Sequence, residues 1–539
     1  MIVPSSFESL KNDKRTYRPV VLAVLDGWGI NAEIEGNAIA NARTPNYGSL
    51  KANYPCIALQ ASGISVGLAW GEPGNSEVGH LTLGSGIILY QNLPRINLAI
   101  QNGTFYSNPA LNEAMDQTKK RSTNLHLLGL VSNGGVHSHI DHLFALMEMA
   151  ASKGLKNIFI HAITDGRDTL PNEGITHIRA LQEKIISIGA GKIASIAGRN
   201  WAMDRNNNWD RVEKAYRVLT GEGKLRAADP MQVIAAAYQN KVSDEFIEPT
   251  VIVDEHDSPV GSIREGDSVI FFNFREDRAR EITKALVLEN FNGFPRGAHP
   301  KNLVFAAMVE YEEGLPVKVA FPPQKITNPL AKILSQKGKN QLHIAETEKY
   351  AHVTYFFNGG REEPFPGEDR ILVPSPQVNS YEETPEMSAA ILTEKLVQAV
   401  KSGKYDFILV NYANPDMLGH TGNLPVTIKA VQAVDFCLGK LIKAVLDQNG
   451  ALVITADHGN AEKMIDPKTG EKETEHSDNP VPCFLVTSDN KKERTETQIM
   501  RHQSMVDGML VDIAPTVLEL LGLPLSEDMV GNSLLPVLK

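Results

Sequence analysis

Carboxylate and imidazole side chains recur at positions that suit metal ligation. They lie in DGWG, DMLGH, ADHGN and EHSDNP, and the candidate ligands are Asp26, Asp416, His420, Asp457, His458 and His476. Asp416 and His420 are four residues apart, so one helical turn would place both on the same face. Mixed carboxylate and imidazole ligands favour zinc, manganese or iron over calcium, and two such ions can clamp the oxygens of a phosphoryl transfer. Any one of these residues alone is more often a cap, a turn residue or a solvated histidine, so the prediction depends on the set.

A serine lies among glycines in the segment GEPGNSEVGHLTLGSG. Ser76 follows a glycine–proline turn and precedes a predicted helix start. A bound metal and a helix N-terminus would both favour its anionic form, which makes it a candidate nucleophile. The glycines would let backbone N–H groups approach a phosphate. Taken alone, an N-cap serine is the commoner use of such a position.

A second group of polar side chains follows apolar runs in the middle of the chain. It comprises His137 in SNGGVHSH, Arg167 and Asp168 in DGRD, Arg199 and Arg205 in GRNWAMDR, and Arg275 and Arg278 in FREDRAR. Guanidinium groups capture carboxylate and phosphate, so their repetition predicts an anion-binding pocket. For any one arginine, an ion pair with neighbours such as Glu276 and Asp277 is the alternative. Lys349 is a weaker candidate, because a lysine beside Glu348 is usually solvated.

Short apolar runs alternate with amphipathic stretches along most of the chain. The predicted strands are VVLAVL, LHLLGLV, NIFIHAI, KIASIA, SVIFFNF, LVFAAMV, FILV and ALVITA, and two predicted helices cover 140–151 and 512–521. Continuous apolar strands of this length belong to parallel sheets with helices on both faces, so we predict an α/β fold. Ligands of such folds bind beyond the carboxyl ends of the strands, where Asp26, Asn411 and Asp457 fall.

Length and composition exclude several classes of protein. The 539 residues exceed one ordinary core, and 53 Lys+Arg against 64 Asp+Glu argue against a nucleic-acid binder. Cys56, Cys437 and Cys483 are widely spaced, which indicates a reducing, cytoplasmic setting. No apolar run approaches the length of about 20 residues that spans a membrane. The segment through Arg18 lacks the apolar core of a signal peptide, and we interpret it as a loose extension.

The motifs, in their order, resemble those of the 2,3-bisphosphoglycerate-independent phosphoglycerate mutases, a family of the alkaline phosphatase superfamily. They are DGWG, GNSEVGH, SNGGVHSH, DGRD, GRNWAMDR, FFNFREDRAR, EKYAHVTYFFNGG, NPDMLGHTG and ADHGNAE, and they span the chain from about Pro19 to Leu538. The resemblance implies two α/β domains. An alkaline-phosphatase-like metal domain would comprise residues 1–90 and 325–539, with a transferase domain inserted at 91–324. A monomer is also implied.

The resemblance further implies the roles of the site residues. One metal would take Asp416, His420 and His476, and the other Asp26, Ser76, Asp457 and His458. Substrate would contact His137, Arg167, Asp168, Arg199, Arg205, Arg275, Arg278 and Lys349. The catalytic groups would be Ser76, Asp168, Lys349 and Arg278. The cofactor would be two divalent cations, with Mn²⁺ expected ahead of Mg²⁺ or Co²⁺, and 2,3-bisphosphoglycerate would not be needed.

The implied reaction interconverts 3-phosphoglycerate and 2-phosphoglycerate, as in glycolysis and gluconeogenesis. Ser76 would take the phosphoryl group and return it to the other hydroxyl of a retained glycerate, with Asp168 as the acid and base. Two alternatives remain open. One is a metal-dependent phosphatase or another phosphomutase of the same superfamily, and the other is a catalytically silent protein that binds anions or metals.

Overall fold

A computed structural model describes residues 16–297, 299–466 and 468–538. The chain divides into two compact units. The first, here called the discontinuous unit, joins the residues up to Tyr90 to Lys325–Lys539, and the second, the inserted unit, is Gln91–Gln324. Each unit contains one eight-stranded sheet.

The sheets and their covering helices alternate along the chain. The strands are β1 Val20–Leu25, β2 Cys56–Gln60, β3 Leu125–Leu130, β4 Ile158–Thr164, β5 Lys192–Gly198, β6 Leu225–Ala227, β7 Thr250–Ile252, β8 Ser268–Phe271, β9 Val304–Val309, β10 Lys318–Phe321, β11 Gln341–Glu346, β12 Glu368–Val373, β13 Phe407–Tyr412, β14 Ala451–Thr455, β15 Val481–Val486 and β16 Val506–Met509. The α-helices are α1 Ala38–Asn41, α2 Pro45–Asn53, α3 Ser76–Ser85, α4 Asn92–Gln101, α5 Pro109–Arg121, α6 Ile140–Ser152, α7 Gly174–Ile188, α8 Arg199–Ala202, α9 Trp209–Leu219, α10 Pro230–Gln239, α11 Arg280–Val287, α12 Leu330–Gln336, α13 Ala389–Lys401, α14 Asn414–Gly419, α15 Leu424–Asp447, α16 Glu496–Ser504 and α17 Ile513–Leu520. Short 3₁₀ turns cover Gly63–Val66, Thr104–Ser107, Asp244–Phe246, Thr347–Lys349, Tyr381–Glu383 and Leu510–Asp512, and a π turn covers His352–Phe356.

The sheet of the discontinuous unit has the strand order β12-β11-β13-β1-β14-β15-β2-β16. Strand β15 is antiparallel to both of its neighbours, and the other neighbouring pairs are parallel. Every residue of β1, β13 and β14 is buried, as expected for central strands covered on both faces. The carboxyl ends of β11, β13, β1 and β14 therefore meet at one edge, and β15 begins at that edge because it runs the other way.

The sheet of the inserted unit has the order β10-β9-β8-β3-β4-β5-β7-β6. Strand β7 is antiparallel to β5, and the remaining neighbouring pairs are parallel. Strands β8, β3, β4 and β5 are consecutive across the sheet, so their carboxyl ends form one continuous edge. The loops beyond β8, β4 and β5 carry the arginine motifs, and the loop beyond β3 carries SNGGVHSH.

The predicted α/β class is confirmed, and each quoted apolar run overlaps a strand. The predicted helices 140–151 and 512–521 correspond to α6 and α17. The run SVIFFNF was predicted as one strand, but β8 ends at Phe271. Two residues later the Asn273 side chain accepts a hydrogen bond from the Leu130 N–H at 2.9 Å, so a side chain replaces the backbone ladder there.

The N-terminal segment was predicted to be a loose extension. Residues 1–15 lie outside the described residues. For Tyr17 and Arg18 the prediction is wrong, because the Tyr17 N–H donates to Leu520 O at 3.0 Å and Arg18 pairs with Asp406 at 3.2 Å. Within the described ranges, none of the helices is both long enough and apolar enough to cross a bilayer.

Candidate metal centre and anion-binding cluster

The discontinuous unit brings the predicted metal ligands to one edge of its sheet. Asp26 follows β1, Asp457 follows β14, and Asp416 lies in α14, just beyond β13. Gly27 makes the approach of the β1 loop to α14 sterically feasible. Its φ is +72°, and a Cβ there would lie 2.8 Å from the Asp416 Cα, so a larger residue would separate the two loops.

Asp416, His420 and His476 form the first of two adjoining clusters. The Nε2 atoms of His420 and His476 are 3.0 Å apart. That of His420 lies 3.3 Å from Asp416 Oδ1, and that of His476 lies 3.2 Å from the same oxygen. The Nδ1 atoms face backbone carbonyls, that of Thr474 at 2.8 Å and that of Gly74 at 2.9 Å. A carbonyl only accepts, so each Nδ1 carries a hydrogen, and Nε2 is the nitrogen through which either ring would bind a metal. Three candidate ligand atoms therefore converge, which is the donor set that a divalent cation requires.

The second cluster surrounds Ser76, the first residue of α3. Its Oγ lies 3.1 Å from Asp26 Oδ1 and 3.0 Å from His458 Nε2. The predicted alternative, an N-cap role for Ser76, does not occur, because Asn75 is the cap and its side chain accepts from the Val78 N–H at 3.0 Å. The Ser76 hydroxyl is therefore available to the cluster rather than to its own helix.

The two clusters share Asp416 and lie side by side. Ligand atoms of Asp26, Asp416 and His458 fall within 4.8 Å of one another, as do those of Asp416, His420 and His476. The rings of His458 and His476 stack with their centroids 3.9 Å apart. Ser76 thus lies beside two adjoining sets of candidate metal ligands.

Lys349 is buried inside this centre, and its Nζ donates to Ser76 Oγ at 2.8 Å. It also lies 2.8 Å from Asp26 Oδ1 and 2.7 Å from Asp416 Oδ2. The sequence-based view of Lys349 as a solvated lysine beside Glu348 is therefore wrong. Glu348 accepts from the Tyr381 hydroxyl at 2.6 Å instead.

The centre carries more negative than positive charge. Three carboxylates, those of Asp26, Asp416 and Asp457, are buried with a single lysine. Burial alone would lower the pKa of Lys349, but these carboxylates raise it above its usual value. Burial likewise opposes ionisation of Asp416, yet Lys349 and the two histidines hold its pKa well below the usual range.

The same excess of negative charge affects His458. Burial would lower its pKa, but the Asp457 charge and a hydrogen bond to Asp26 raise that pKa to about 10. The cluster therefore attracts either protons or metal ions, and its carboxylate and imidazole donors fit Mn²⁺, Fe²⁺ or Zn²⁺. Ligation would require the proton on His458 to leave.

Sequence reasoning missed three buried side chains that contact the candidate ligands or join their loops. Asn460 donates to Asp416 Oδ1 at 2.8 Å. Buried Glu462 accepts from the N–H groups of Asn460 at 2.8 Å and of Gly29 at 3.0 Å, which joins the loops that follow β14 and β1. His80 is the third. All three lie in or beside motifs already singled out, ADHGNAE and GNSEVGH, and that nearness is the signal that could have identified them.

The inserted unit brings together its own set of predicted residues at the ends of β3, β4, β5 and β8. Arg199 is 2% exposed, and its Nη1 lies 2.6 Å from both Asp165 Oδ1 and Asp168 Oδ2. Asp165 accepts from the Ser132 hydroxyl at 2.6 Å and from the Asp168 N–H at 3.0 Å. Asp165 was missed in the sequence, although it is the first residue of DGRD.

Asp277 gathers three more of the predicted residues. Its carboxylate lies 2.9 Å from Arg205 Nη1, 3.2 Å from Arg275 Nε and 3.7 Å from His137 Nδ1. The alternative of ion pairing with Asp277 is therefore correct for Arg205 and Arg275. Because both arginines pair with the same carboxylate, this ion pairing also brings them close together.

Arg167 and Arg278 complete the set. Arg167 is paired with Glu245 at 3.5 Å, and Arg278 donates to the Met203 carbonyl at 3.0 Å. Burial, and then the nearby charges of Arg199, Arg205 and Arg167, lower the pKa of Arg278. Burial and Arg199 lower the pKa of His137 to about 4, so this imidazole is neutral at pH 7. The arginines are thus close enough to interact, as an anion-binding site requires.

Two family matches divide the chain between them. A family described as "Sulfatase" matches residues 327–523, and one described as "BPG-independent PGAM N-terminus" matches residues 96–313. The fold, the ligand clusters and the first match together define a metal-binding enzyme of the alkaline-phosphatase-like class.

Whole-chain relatives narrow this class. The 2,3-bisphosphoglycerate-independent phosphoglycerate mutases of Chloroflexus aggregans and Clostridium perfringens are 49% and 51% identical, over 96% of this chain and 98% and 99% of theirs. The chain belongs to the 2,3-bisphosphoglycerate-independent phosphoglycerate mutase family, which confirms the resemblance seen in its motifs. A crystal structure of Leishmania mexicana phosphoglycerate mutase at low cobalt concentration is 33% identical, with 97% of this chain and 98% of that chain covered and a TM-score of 0.49.

Proposed function

We propose that the protein interconverts 3-phosphoglycerate and 2-phosphoglycerate through a phosphoserine at Ser76. The observation that carries this proposal is the environment of the Ser76 hydroxyl. Its Oγ is buried and lies about 3 Å from the His458 imidazole, the Asp26 carboxylate and the Lys349 ammonium. A hydroxyl so placed can lose its proton and accept a phosphoryl group, and the family's name supports phosphoglycerate as the substrate.

The cofactor in this proposal is a pair of divalent cations, most suitably Mn²⁺, with Mg²⁺ and Co²⁺ as alternatives. Asp416, His420 and His476 would hold one ion, and Asp26, Ser76, Asp457 and His458 would hold the other. Bound cations would supply positive charge at the Ser76 oxygen and at the transferring phosphoryl group. Because the phosphoryl group rests on the protein itself, 2,3-bisphosphoglycerate is not required.

In the first half of the reaction, the Ser76 oxygen, which has released its proton to solvent before the cycle starts, attacks the phosphorus of 3-phosphoglycerate in line. The bond from phosphorus to the C3 oxygen breaks, and that oxygen takes the proton that Asp168 carries at the start of the cycle and regains in the second half. Lys349 stabilises negative charge beside the Ser76 oxygen, and Arg278 stabilises charge on the phosphoryl oxygens. The product pair is phosphoserine and glycerate.

In the second half, glycerate is retained and returns its other hydroxyl to the phosphoserine. His137, Arg167, Arg199, Arg205 and Arg275 would hold the carboxylate and the phosphoryl group. The 2-hydroxyl gives its proton to Asp168 and attacks phosphorus, which releases the Ser76 oxygen and forms 2-phosphoglycerate. Water must not reach the phosphoserine, since hydrolysis would convert the mutase into a phosphatase.

These assignments give the two units separate tasks. The discontinuous unit would bind the cations and carry the nucleophile, and the inserted unit would bind the substrate. We further infer a monomeric, cytoplasmic enzyme of glycolysis and gluconeogenesis. The three cysteines support the compartment, because all are buried and unpaired as in reduced proteins.

The test is conversion of 3-phosphoglycerate in the presence of Mn²⁺, followed by ³¹P NMR. We expect 2-phosphoglycerate to accumulate without free phosphate, and rapid quenching with peptide mass analysis to place the phosphoryl group on Ser76. Ser76→Ala should abolish both signals. Ser65→Ala, which removes a hydroxyl bonded only to the Ser62 carbonyl at 2.7 Å, should retain them. Free phosphate without 2-phosphoglycerate would favour the phosphatase alternative, and full activity of Ser76→Ala would exclude the phosphoserine route.

A further inference from the structure

His80 is completely buried beside the metal centre, and no step of the proposed reaction uses it. Its Nδ1 lies 2.9 Å from the carbonyl oxygen of Ser76, one helical turn earlier in α3, and 3.2 Å from Asp457 Oδ2. A carbonyl oxygen only accepts, so Nδ1 must carry the hydrogen of its bond to Ser76. This N–H donates to the Ser76 carbonyl, and it also lies against Asp457 Oδ2 in a polar contact that is not a second hydrogen bond.

The other ring nitrogen of His80 is occupied as well. His80 Nε2 lies 3.1 Å from Asn411 Nδ2, and the same amide nitrogen donates to Asp26 Oδ2 at 2.7 Å. Because the Asp26 carboxylate accepts, the group facing it must be the NH₂ end of Asn411. The second hydrogen of this NH₂ is then directed at His80 Nε2, whose lone pair accepts it.

These contacts form one continuous polar chain. Hydrogen bonds run from Asp26 through Asn411 and His80 to the backbone of Ser76, and His80 Nδ1 also contacts Asp457 Oδ2 at 3.2 Å. The members come from the ends of β1, β13 and β14 and from the first turns of α3. The chain therefore connects two ligand carboxylates with the turn of α3 that carries Ser76.

Proximity alone would make His80 a metal ligand. Ligand atoms of Asp26, His80 and Asp457 lie within 4.8 Å of one another. The hydrogen-bond pattern opposes that role, because one nitrogen donates and the other accepts, which leaves no lone pair for a cation. Partners of ligands, rather than ligands, have this pattern.

We propose that His80 is a positioning residue that, together with Asn411, fixes Asp26 and Asp457 for a cation it does not bind. The inference rests on the proposed two-cation function of this centre. Loss of the chain would free both carboxylates to relax apart, since their mutual repulsion would no longer be opposed by shared donors. Substitution of such partners typically costs about 10- to 100-fold in metal affinity.

Two substitutions of His80 separate positioning from packing. An Asn side chain reaches about as far as Nδ1, so its amide N–H can still face Asp457, whereas a Gln side chain reaches the position of Nε2 and leaves Asp457 without this contact. His80→Asn and His80→Gln should therefore differ in effect. A packing role would predict similar effects from both.

The matched control is His343→Gln. His343 is also completely buried in the discontinuous unit, on β11, where its Nε2 faces Gln341 Oε1 at 3.2 Å. It contacts none of the candidate ligands named above, so its substitution reports on the loss of a buried imidazole alone.

The measurement is a Mn²⁺ titration of the full chain without substrate, followed by the EPR signal of free Mn²⁺. We expect two sites in the wild type and in His343→Gln. In His80→Gln one site should weaken about 10- to 100-fold while the other stays within about twofold, and in His80→Asn the loss should be smaller. If His80→Gln does not fold, as judged by circular dichroism, Asn411→Ser breaks the same chain without touching the ring and should weaken one site by about tenfold.

Several outcomes would overturn the inference. Equal affinities in His80→Gln and His343→Gln would make the role packing alone. A His80→Asn protein that binds only one ion at saturating Mn²⁺ would make His80 a ligand, and a wild type that binds fewer than two ions would remove the site to be positioned. Because the titration contains no phosphoglycerate, a wild type that binds two ions but interconverts nothing would refute the proposed function and leave this inference intact.

Discussion

Lys349 contributes the one buried ammonium among the three carboxylates of the metal centre. Lys349→Met keeps the length of the side chain but removes its charge. We expect kcat to fall about 100- to 1000-fold, because the charge beside the Ser76 oxygen is lost. Mn²⁺ affinity should not weaken, since the centre becomes more negative. Steady-state kinetics and Mn²⁺ titration measure the two effects separately.

A suitable control for this substitution is Lys332→Met. Lys332 lies in α12, and its Nζ donates to the Thr327 carbonyl at 2.7 Å in an exposed position. It should leave both kcat and Mn²⁺ binding unchanged. A Lys349→Met protein that lost its metal together with its activity would show that the lysine maintains the site rather than stabilises reacting charge.

Lys349 also shows which features of individual residues the sequence could not predict. The types and spacings in DMLGH and ADHGN were enough to predict which carboxylates and histidines assemble. They were not enough to place Lys349 or His80, because burial of a polar side chain depends on partners far away in the sequence. Ser76 was ambiguous for a local reason, since Asn75 and Ser76 are both good capping residues and only the backbone decides which one caps α3.

At the scale of elements, the turn after β4 organises the anion-binding cluster. Burial would raise the pKa of Asp165, but hydrogen bonds from Ser132, Asp168 N–H and Arg199 lower it, so Asp165 is ionised. Asp165→Asn keeps the size of the side chain but removes one of the negative charges that pair with Arg199. We expect kcat/KM for phosphoglycerate to fall about 10- to 100-fold, the worth of one buried charged hydrogen bond. Initial rates over a range of substrate concentrations would measure it.

The control for Asp165→Asn is Glu245→Gln. Glu245 pairs at 3.5 Å with Arg167, whose side chain is 55% exposed. An exposed pair contributes little, so this change should alter kcat/KM less than about threefold. Equal losses in the two variants would contradict a special role for Asp165.

Helix α6 gives a prediction about pH. Burial, and then the charge of His139, lower the pKa of His142 to about 3, and its Nε2 lies 2.8 Å from Asn97 Oδ1. The unfolded chain takes up this proton below a pKa of about 6.5, so the stabilisation is complete above that pH and is lost as the pH falls. Between pH 7.5 and 5 the loss amounts to about 2 kcal/mol.

His142→Gln removes the titrating group and retains an amide that can reach Asn97. The difference between the wild-type and His142→Gln unfolding free energies should therefore shrink by about 2 kcal/mol from pH 7.5 to pH 5. Urea unfolding at both values measures it. His256→Gln serves as the control, because the His256 side chain is 79% exposed. The difference between the wild-type and His256→Gln unfolding free energies should be the same at both pH values. A constant difference for His142→Gln would show that this imidazole is protonated in the folded protein.

The elements themselves were largely predictable. Runs such as VVLAVL and ALVITA are continuously apolar because their strands are buried on both faces, and that pattern needs no tertiary information. The strand order was not predictable. Nothing local in VPCFLV indicates that β15 is antiparallel, yet this reversal is what brings His476, just before β15, to the edge where the parallel strands end.

At the scale of the whole molecule, the two units differ in how their charge is balanced. In the inserted unit, the side chains of the protein balance one another, because five arginines face four carboxylates. The arginines are Arg167, Arg199, Arg205, Arg275 and Arg278, and the carboxylates are Asp165, Asp168, Glu245 and Asp277. In the discontinuous unit, the carboxylates exceed the lysine, and the remaining charge calls for protons or cations. Metal removal should therefore destabilise one unit and leave the other nearly unchanged.

Hydrogen exchange with and without Mn²⁺ tests this difference within a single sample. A ligand at about 100 times its Kd stabilises the folded state by about 2.7 kcal/mol, which slows exchange through global opening of that unit about 100-fold. We expect this slowing in the strand β13 and helix α14 peptides, which lead into and carry Asp416, and no comparable change in β4 of the inserted unit. Ca²⁺ at the same concentration should protect β13 and α14 less, because imidazole ligands do not suit it. Equal protection of both units by Mn²⁺ would mean that the two units unfold together as one cooperative body. The charge balance within each unit would then not decide how much the ion stabilises that unit.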